Sequence, residues 1–169
     1  MNHDHLWHLR SLFSESVLPD GGTWLNVCAG DGSVVATVSD CVNEYNKTSG
    51  DHDQIPHPSW ICSAATATGK RFLDTLPQVG DVFETTFVTF KWDAETNGKL
   101  DLVIGVMPAP DIEYLPTFLT RCFVISKRVC LYLPLHVLAL PPDGMGEVLA
   151  RSGVPDVFLP QHDRICDAN

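Results

Sequence analysis

Basic residues are scarce in this chain. Eleven Lys and Arg stand against 21 Asp and Glu in 169 residues, a formal charge of −10 with a pI near 4.9. Phosphate repels such a surface, so a broad nucleic-acid-coating protein is excluded and net charge argues against nucleic acid as a partner. Long apolar runs are missing too. No stretch nears the roughly 18 residues of a membrane span. Met1–Gly21 lacks the continuous apolar core and small-residue cleavage site of a secretory leader. The expectation is a cytoplasmic protein with no membrane contact. None of the six cysteines (Cys28, Cys41, Cys62, Cys122, Cys130 and Cys166) forms a C-x-x-C pair, which excludes a zinc knuckle and a thioredoxin motif. In a cytoplasmic chain they are expected as free thiols, and Cys28, Cys62 and Cys130, each in an apolar run, as small packed hydrophobes.

Apolar residues make up 44% of the chain, enough to bury a core. The length suits a single domain over 1–169, with an N-terminal helix over 4–18 and a core over 23–164. Helical spacing of Leu6, Leu9, Leu12 and Val17 predicts that first helix, and Pro19 stops it. Strands are predicted over 23–28, 59–63, 85–92, 100–106, 128–133 and, short, 156–160. Helices are predicted over 33–46, 66–76 (with Phe72, Leu73 and Leu76 inward), 115–126, just after Pro134-Leu135, and over 147–152. Residues 77–81 and 93–99 read as turns, and 47–58 as a polar loop.

Strands alternating with helices, and strands apolar almost throughout, predict an α/β three-layer sandwich with a mainly parallel sheet covered on both faces. The first and fourth strands are expected side by side. Ligands of such sheets bind at the carboxyl ends of the strands, which directs attention to 28–33, 63–66, 91–95 and 105–111.

The most informative stretch is Leu25-Asn26-Val27-Cys28-Ala29-Gly30-Asp31-Gly32-Ser33, a strand entering a glycine turn and then a helix. Glycine lets a backbone approach a ligand closely, and the helix start offers unpaired N–H groups. Ala29-Gly30-Asp31-Gly32 resembles the A-G-x-G of the first motif, strand-[DE]-P-x-A-G-x-G, in class I S-adenosylmethionine-dependent methyltransferases. The resemblance is strongest to the phage and restriction-type enzymes that methylate the adenine amino group of DNA. Lys99-Leu100-Asp101-Leu102-Val103-Ile104-Gly105 is similar to their fourth strand, and Val129–Leu135 to a fifth strand ending in L-L-P. Val157–Arg164 is similar to a late strand. The resemblance covers most of 23–164 and implies a Rossmann-like fold. It also implies S-adenosylmethionine as cofactor, held by Asn26, Cys28, Ala29, Gly30, Gly32, Ser63 and Asp93, and DNA as the family's substrate.

Several positions depart from the family pattern. The tetrapeptide after the fourth strand, [DNS]-P-P-[YFW] in the family, accepts the target amine's hydrogen bonds and stacks on the flipped base. Here its positions hold Val106, Met107, Pro108 and Ala109, of which only Pro108 matches. Asn26 replaces the usual acid of the first strand. Ser63, followed by Ala64 and Ala65, stands where an acid would hold the ribose hydroxyls. Asp93 fits the position of an acid that contacts the adenine amine. The resemblance therefore implies a small methyltransferase-like protein of the DNA adenine type with a degenerate catalytic motif. The rival reading is a non-catalytic binding, assembly or inhibitor protein on the same fold, turned toward a host protein partner.

Other candidates have plainer readings. The two histidine groups, His3/His5/His8 and His52/His57 with Asp53, and the single His136 and His162 read as solvated or packing residues. Asp111 and Glu113 read as charges at a helix start. Trp7, Trp24, Trp60 and Trp92, with so few cations about them, read as core or interface residues and not as a base-stacking set.

Overall fold

The apolar runs become parallel strands and the amphipathic runs between them become crossover helices. The computed structural model describes residues 9, 12, 18–50, 53–86, 89–107, 109–134, 136–153 and 156. The elements are β1 (Thr23–Val27), α1 (Ser33–Thr48), β2 (Ser59–Ala64), α2 (Ala67–Leu73), β3 (Val79–Glu84), α3 (Ala94–Asn97) and β4 (Leu102–Val106). A 3-10 segment (Ala109–Tyr114), α4 (Leu115–Ile125), β5 (Val129–Tyr132), α5 (His136–Ala139) and α6 (Met145–Ser152) follow. The strands form one sheet in the order β3-β2-β1-β4-β5, and every neighbouring pair is parallel. β1 and β4 are adjacent, as expected.

Side-chain alternation divides the core into two layers. Trp24 packs with Trp60, Cys62, Ile104 and the α1 stripe Val34, Val35, Val38 and Val42. Leu25 and Val27 pack on the opposite face with Leu115, Phe118 and Cys122 of α4, Val137 of α5 and Met145 of α6. Trp24 and Trp60 are fully buried and meet edge to face, centroids 5.2 Å apart at 76°. The tryptophan reading therefore holds for this pair. Helix α1 forms although valine is a weak helix former. The propensity cost is at most ~0.7 kcal/mol per residue, whereas burying each valine side chain contributes about 1.5–3 kcal/mol.

Cys62 and Cys122 are buried and Cys130 half-buried. Burial alone pushes the Cys62 thiol up to about 12 and the Cys130 thiol to about 11. Burial also raises the Cys122 thiol to about 12, the Arg121 charge opposing it. All three stay protonated and behave as packing residues. Cys28 differs from the expectation of a strand position, because β1 ends at Val27.

Two further expectations fail. The third strand is not 85–92: β3 is Val79–Glu84, over residues expected as a turn, and none of the described residues of 85–92 is in a strand. As an edge strand β3 pairs on one side only, so it tolerates Asp81 and Glu84. Its register with β2 shifts between Trp60 and Ile61, opposite Gly80. The Thr85–Thr89 stretch is β-rich by composition, but its hydroxyls bond to one another instead. Thr89 Oγ1 lies 2.7 Å from Thr85 Oγ1 and 2.9 Å from Thr86 Oγ1, and the Phe90 N–H donates to Thr86 O at 2.9 Å. These local bonds compete with a ladder. Second, Phe72 faces out, 47% exposed, because the seven-residue α2 turns Leu73 inward and leaves Phe72 on its flank.

Of the predicted N-terminal helix only Leu9, Leu12 and Leu18 are described. Leu9 and Leu12 are helical and buried in the α1 layer, and Leu18 is buried in a bend. The rest of that helix, the 157–160 part of the sixth strand, Trp7, His3, His5, His8, His52 and His162 lie outside the described residues.

At the amino end of the sheet Asp101 ties β1 to β4. Its carboxylate accepts from Thr23 N–H at 2.8 Å and pairs with Lys127 Nζ at 2.7 Å, and its own N–H donates to Thr23 O at 2.9 Å. The Lys127 hydrogen bond, then that from Thr23, holds its carboxyl below the usual carboxylate range. A depressed folded-state pKa means that this contribution is complete above the unfolded value near ~4 and is lost as pH falls through the lower folded value. We expect Asp101→Asn to cost about 1 kcal/mol at pH 7 and to flatten the loss of stability below pH ~4. Urea midpoints of both chains between pH 3 and 7 check this. Equal pH slopes for the two would place the acid sensitivity elsewhere.

Candidate cofactor turn and strand rim

The carboxyl ends of all five strands lie on one rim: Val27, Ala64, Glu84, Val106 and Tyr132. After β1 the chain builds β2 and β3 on one side, then crosses to β4 on the other. The switch point therefore lies between β1 and β4, where an open parallel sheet leaves a crevice for ligands. Val27 is in register with Gly105 there. The turn at 28–32 and the residues after Val106 flank this crevice.

The turn has an alternating backbone. Cys28 (φ 53°), Gly30 (φ 54°) and Gly32 (φ 71°) all take the left-handed conformation. Cys28 is the only non-glycine residue with positive φ among the described residues. Neighbouring β2 holds it there: Cys28 N–H donates to Ser63 Oγ at 3.1 Å and Ala29 N–H to Ser63 O at 2.9 Å. The turn closes with Gly32 N–H on Ala29 O at 2.8 Å. Asp31 Oδ1 accepts from Ser33 N–H at 3.0 Å at the start of α1.

The two glycines are required for different reasons. A Cβ on Gly32 would stand 2.7 Å from Leu76 Cδ1 and 3.3 Å from Leu73 Cδ2, so packing under the turn excludes a side chain. A Cβ on Gly30 would meet only Cys28 O, at 3.7 Å. Its missing side chain leaves space open above the turn.

Asn26 is two residues before Cys28, on the same sheet face as Trp24, and 1% exposed. Neither its Nδ2 nor its Oδ1 has a hydrogen-bond partner among the described residues. An unpaired buried polar group costs roughly 1–3 kcal/mol. Ser39 Oγ and Trp60 Nε1 are also without a partner among the described residues, but Asn26 is the one that lies on β1, two residues before the turn.

The remaining expected site residues are spread along the rim. Ser63 is fully buried, and its hydroxyl and carbonyl are both spent on the turn. Asp93 does not follow a strand. It caps α3, accepting from Glu95 N–H at 3.0 Å, Thr96 N–H at 3.3 Å and the Thr96 hydroxyl. The Thr96 side chain, then its backbone N–H and that of Glu95, holds the Asp93 carboxyl below the usual range. Val106 ends β4 and is 44% exposed. Met107 turns inward, 5% exposed, with its N–H on Tyr132 O at 3.1 Å. Pro108 lies outside the described residues, and Ala109 opens the 3-10 segment.

Sequence reasoning found the turn but not the left-handed Cys28, nor the commitment of Ser63 to it. The alternation of residues 28, 30 and 32 was the available signal. His136 is exposed at the start of α5, and His57 Nε2 lies 3.2 Å from Asn43 Oδ1. Among the described residues no three His, Cys, Asp or Glu side chains converge, and no helix is long and apolar enough to cross a membrane. A groove of about 400 Å³ between α4 and α6, lined by Pro116, Thr120, Phe123, Glu147 and Arg151, lies away from the rim turn.

No known protein family matches the sequence, and no curated protein matches it. Solved structures do. A putative methyltransferase from an antibiotic biosynthesis pathway of Anabaena variabilis superposes with a TM-score of 0.50 at 13% identity, over 90% of this chain and 56% of that one. A putative RNA methyltransferase of Pyrococcus horikoshii gives 0.48 at 18% identity, over 79% and 60%. A cyclopropane synthase of Mycobacterium tuberculosis gives 0.47 at 15%, over 80% and 55%. The chain spans between about a third and three fifths of the length of the structures it matches. The parallel sheet of order β3-β2-β1-β4-β5 with helices on both faces, matched by the Anabaena variabilis structure, gives the chain the class I methyltransferase-like, Rossmann-type α/β fold.

Proposed function

We propose that this protein binds S-adenosylmethionine, or its demethylated product, over the Cys28–Gly32 turn and does not methylate DNA adenine. The observation that carries the reading is the space above Gly30, in a turn of three alternating left-handed residues at the sheet's switch point. The orphaned amide of Asn26 fits the same ligand. It keeps a donor and an acceptor dry beside a site that would receive amino and carboxylate groups.

The bound cofactor supplies an electrophilic methyl group. The chain's own residues do the rest: the turn admits the ligand by backbone alone, and the β4 end presents the acceptor side. There Val106 is exposed and apolar, with no side-chain oxygen to orient an attacking amine. Methyl transfer depends mostly on positioning, so this loss falls on the chemical step more than on cofactor binding. A second reading, a non-catalytic binding, assembly or inhibitor protein that engages a host protein partner, is favoured by the same exposed Val106.

Gly30→Leu is expected to abolish binding of S-adenosylhomocysteine measured by calorimetry. It should cost the fold only about 1–2 kcal/mol for a left-handed side chain. Retained binding in that variant would move the ligand off the turn.

A further inference from the structure

Helix α1 has a flank that the fold leaves open. Val35, Ser39 and Asn43 recur every fourth residue along it, with Ala36 and Asp40 beside them, so the five form one stripe. Opposite stand Leu76, Pro77 and Gln78, in the turn that leads from α2 into the edge strand β3. Between stripe and turn lies a cavity of about 280 Å³. That is the small end of the range of ligand pockets, roughly 300–1,000 Å³. It lies toward β3, whereas the crevice at the switch point lies between β1 and β4.

Ser39 gives this cavity an unmet hydrogen bond. It lines the cavity, is 4% exposed, and its hydroxyl has no partner among the described residues. A serine inside a helix can bond back to the carbonyl one turn earlier, and Ser39 does not. Asp40, the next residue, is exposed and makes no ion pair or hydrogen bond among the described residues. No lysine or arginine lines the cavity to offset its charge. Asn43 Oδ1 is taken up by His57 Nε2, 3.2 Å away. The walls, Val35, Ala36, Leu76 and Pro77, are apolar.

We infer that this cavity binds a small organic cation, a primary ammonium on a short apolar or aromatic body. The body lies against Val35, Leu76 and Pro77. An ammonium has three protons to donate, enough for the Asp40 carboxylate and the Ser39 hydroxyl together. The inference stands apart from the cofactor reading. The two places share one wall, because Leu76 Cδ1 is the atom that a Gly32 Cβ would meet at 2.7 Å. A ligand against Leu76 therefore bears on the packing beneath the glycine turn.

The test is nitrogen-15 NMR of the full chain, titrated with phenethylamine and with its neutral counterpart, phenethyl alcohol. The amine should shift the amides of Ser39, Asp40, Leu76 and Gln78, with a Kd on the order of 1 mM for so small a ligand. The alcohol should bind about tenfold more weakly, and Asp40→Asn should bring the amine down to the same level. Ser39→Ala should weaken the amine about fivefold. It should leave the thermal midpoint of the ligand-free chain unchanged or raised, because the hydroxyl has no bond to lose. A lowered midpoint would show that the hydroxyl is structurally engaged, and the site would lose its floor contact. Absence of shifts at those amides, equal affinity for amine and alcohol, or equal affinity of parent and Asp40→Asn overturns the proposal. None of these outcomes touches the cofactor turn reading, which the Gly30→Leu variant tests separately.

Discussion

Gly105→Ala should destabilise the fold by about 3 kcal/mol or more, lowering the thermal midpoint by roughly 6–12 °C for a chain of this size. A Cβ at Gly105 would stand 2.4 Å from both Val27 O and Val27 Cγ2. The carbonyl belongs to the backbone, so the strands themselves would have to separate. Val27 and Gly105 are in register at the centre of the sheet, where helices cover both faces and interior packing leaves no slack. The same contact sets the approach of β1 and β4 at the switch point, with Cys28 the next residue along. Loss of binding is therefore expected together with loss of stability. Circular dichroism melting of the purified variant measures the effect. A midpoint within about 2 °C of the parent would mean that the β1–β4 approach relaxes freely, and Gly105 would lose its place in positioning the turn.

No adenine-N6 methylation of DNA is expected from this chain. Flipping a base costs a few kcal/mol, and an aromatic stack with hydrogen bonds to its Watson–Crick edge normally offsets that cost. Ala109 has no ring, and the Val106 side chain offers the amine no acceptor. Losing one preorganised polar contact at a reacting centre costs roughly 10²–10³ in rate. The formal charge of −10 opposes DNA approach as well. Tritiated-methyl transfer to duplex and single-stranded DNA at low salt is the assay. Counts clearly above a no-protein control would show a competent enzyme, and Pro108 and Asp111 would be the next residues to replace.

The sequence by itself determined the fold class. Alternation of apolar strands with amphipathic segments, and the glycine turn between the first strand and helix, were enough to place β1, β2, β4 and β5 and the adjacency of β1 with β4. β1, β2 and β4 are central and buried, and apolar periodicity reports burial directly, while β5, at the other edge and half-buried, was legible because Val129–Tyr132 carries no charge. What the sequence misplaced lies at the sheet's edge. β3 pairs on one side only, so its polar residues hid it, while the threonine-rich stretch after it imitated a strand and spent its hydroxyls on a local turn.

Only the tertiary structure decided the roles within the site. Motif letters do not reveal that the side chain missing from Gly32 would collide with Leu76 while a Cβ on Gly30 would make only an ordinary contact with Cys28 O. They do not show Ser63 spent on holding Cys28, Asp93 capping α3, or Asn26 without a partner among the described residues. Each of these depends on what a side chain meets across strands or helices far apart in the chain. Spacing within one segment carries no record of those contacts, because the chain-distant atoms that satisfy or exclude a polar group are brought together only by folding.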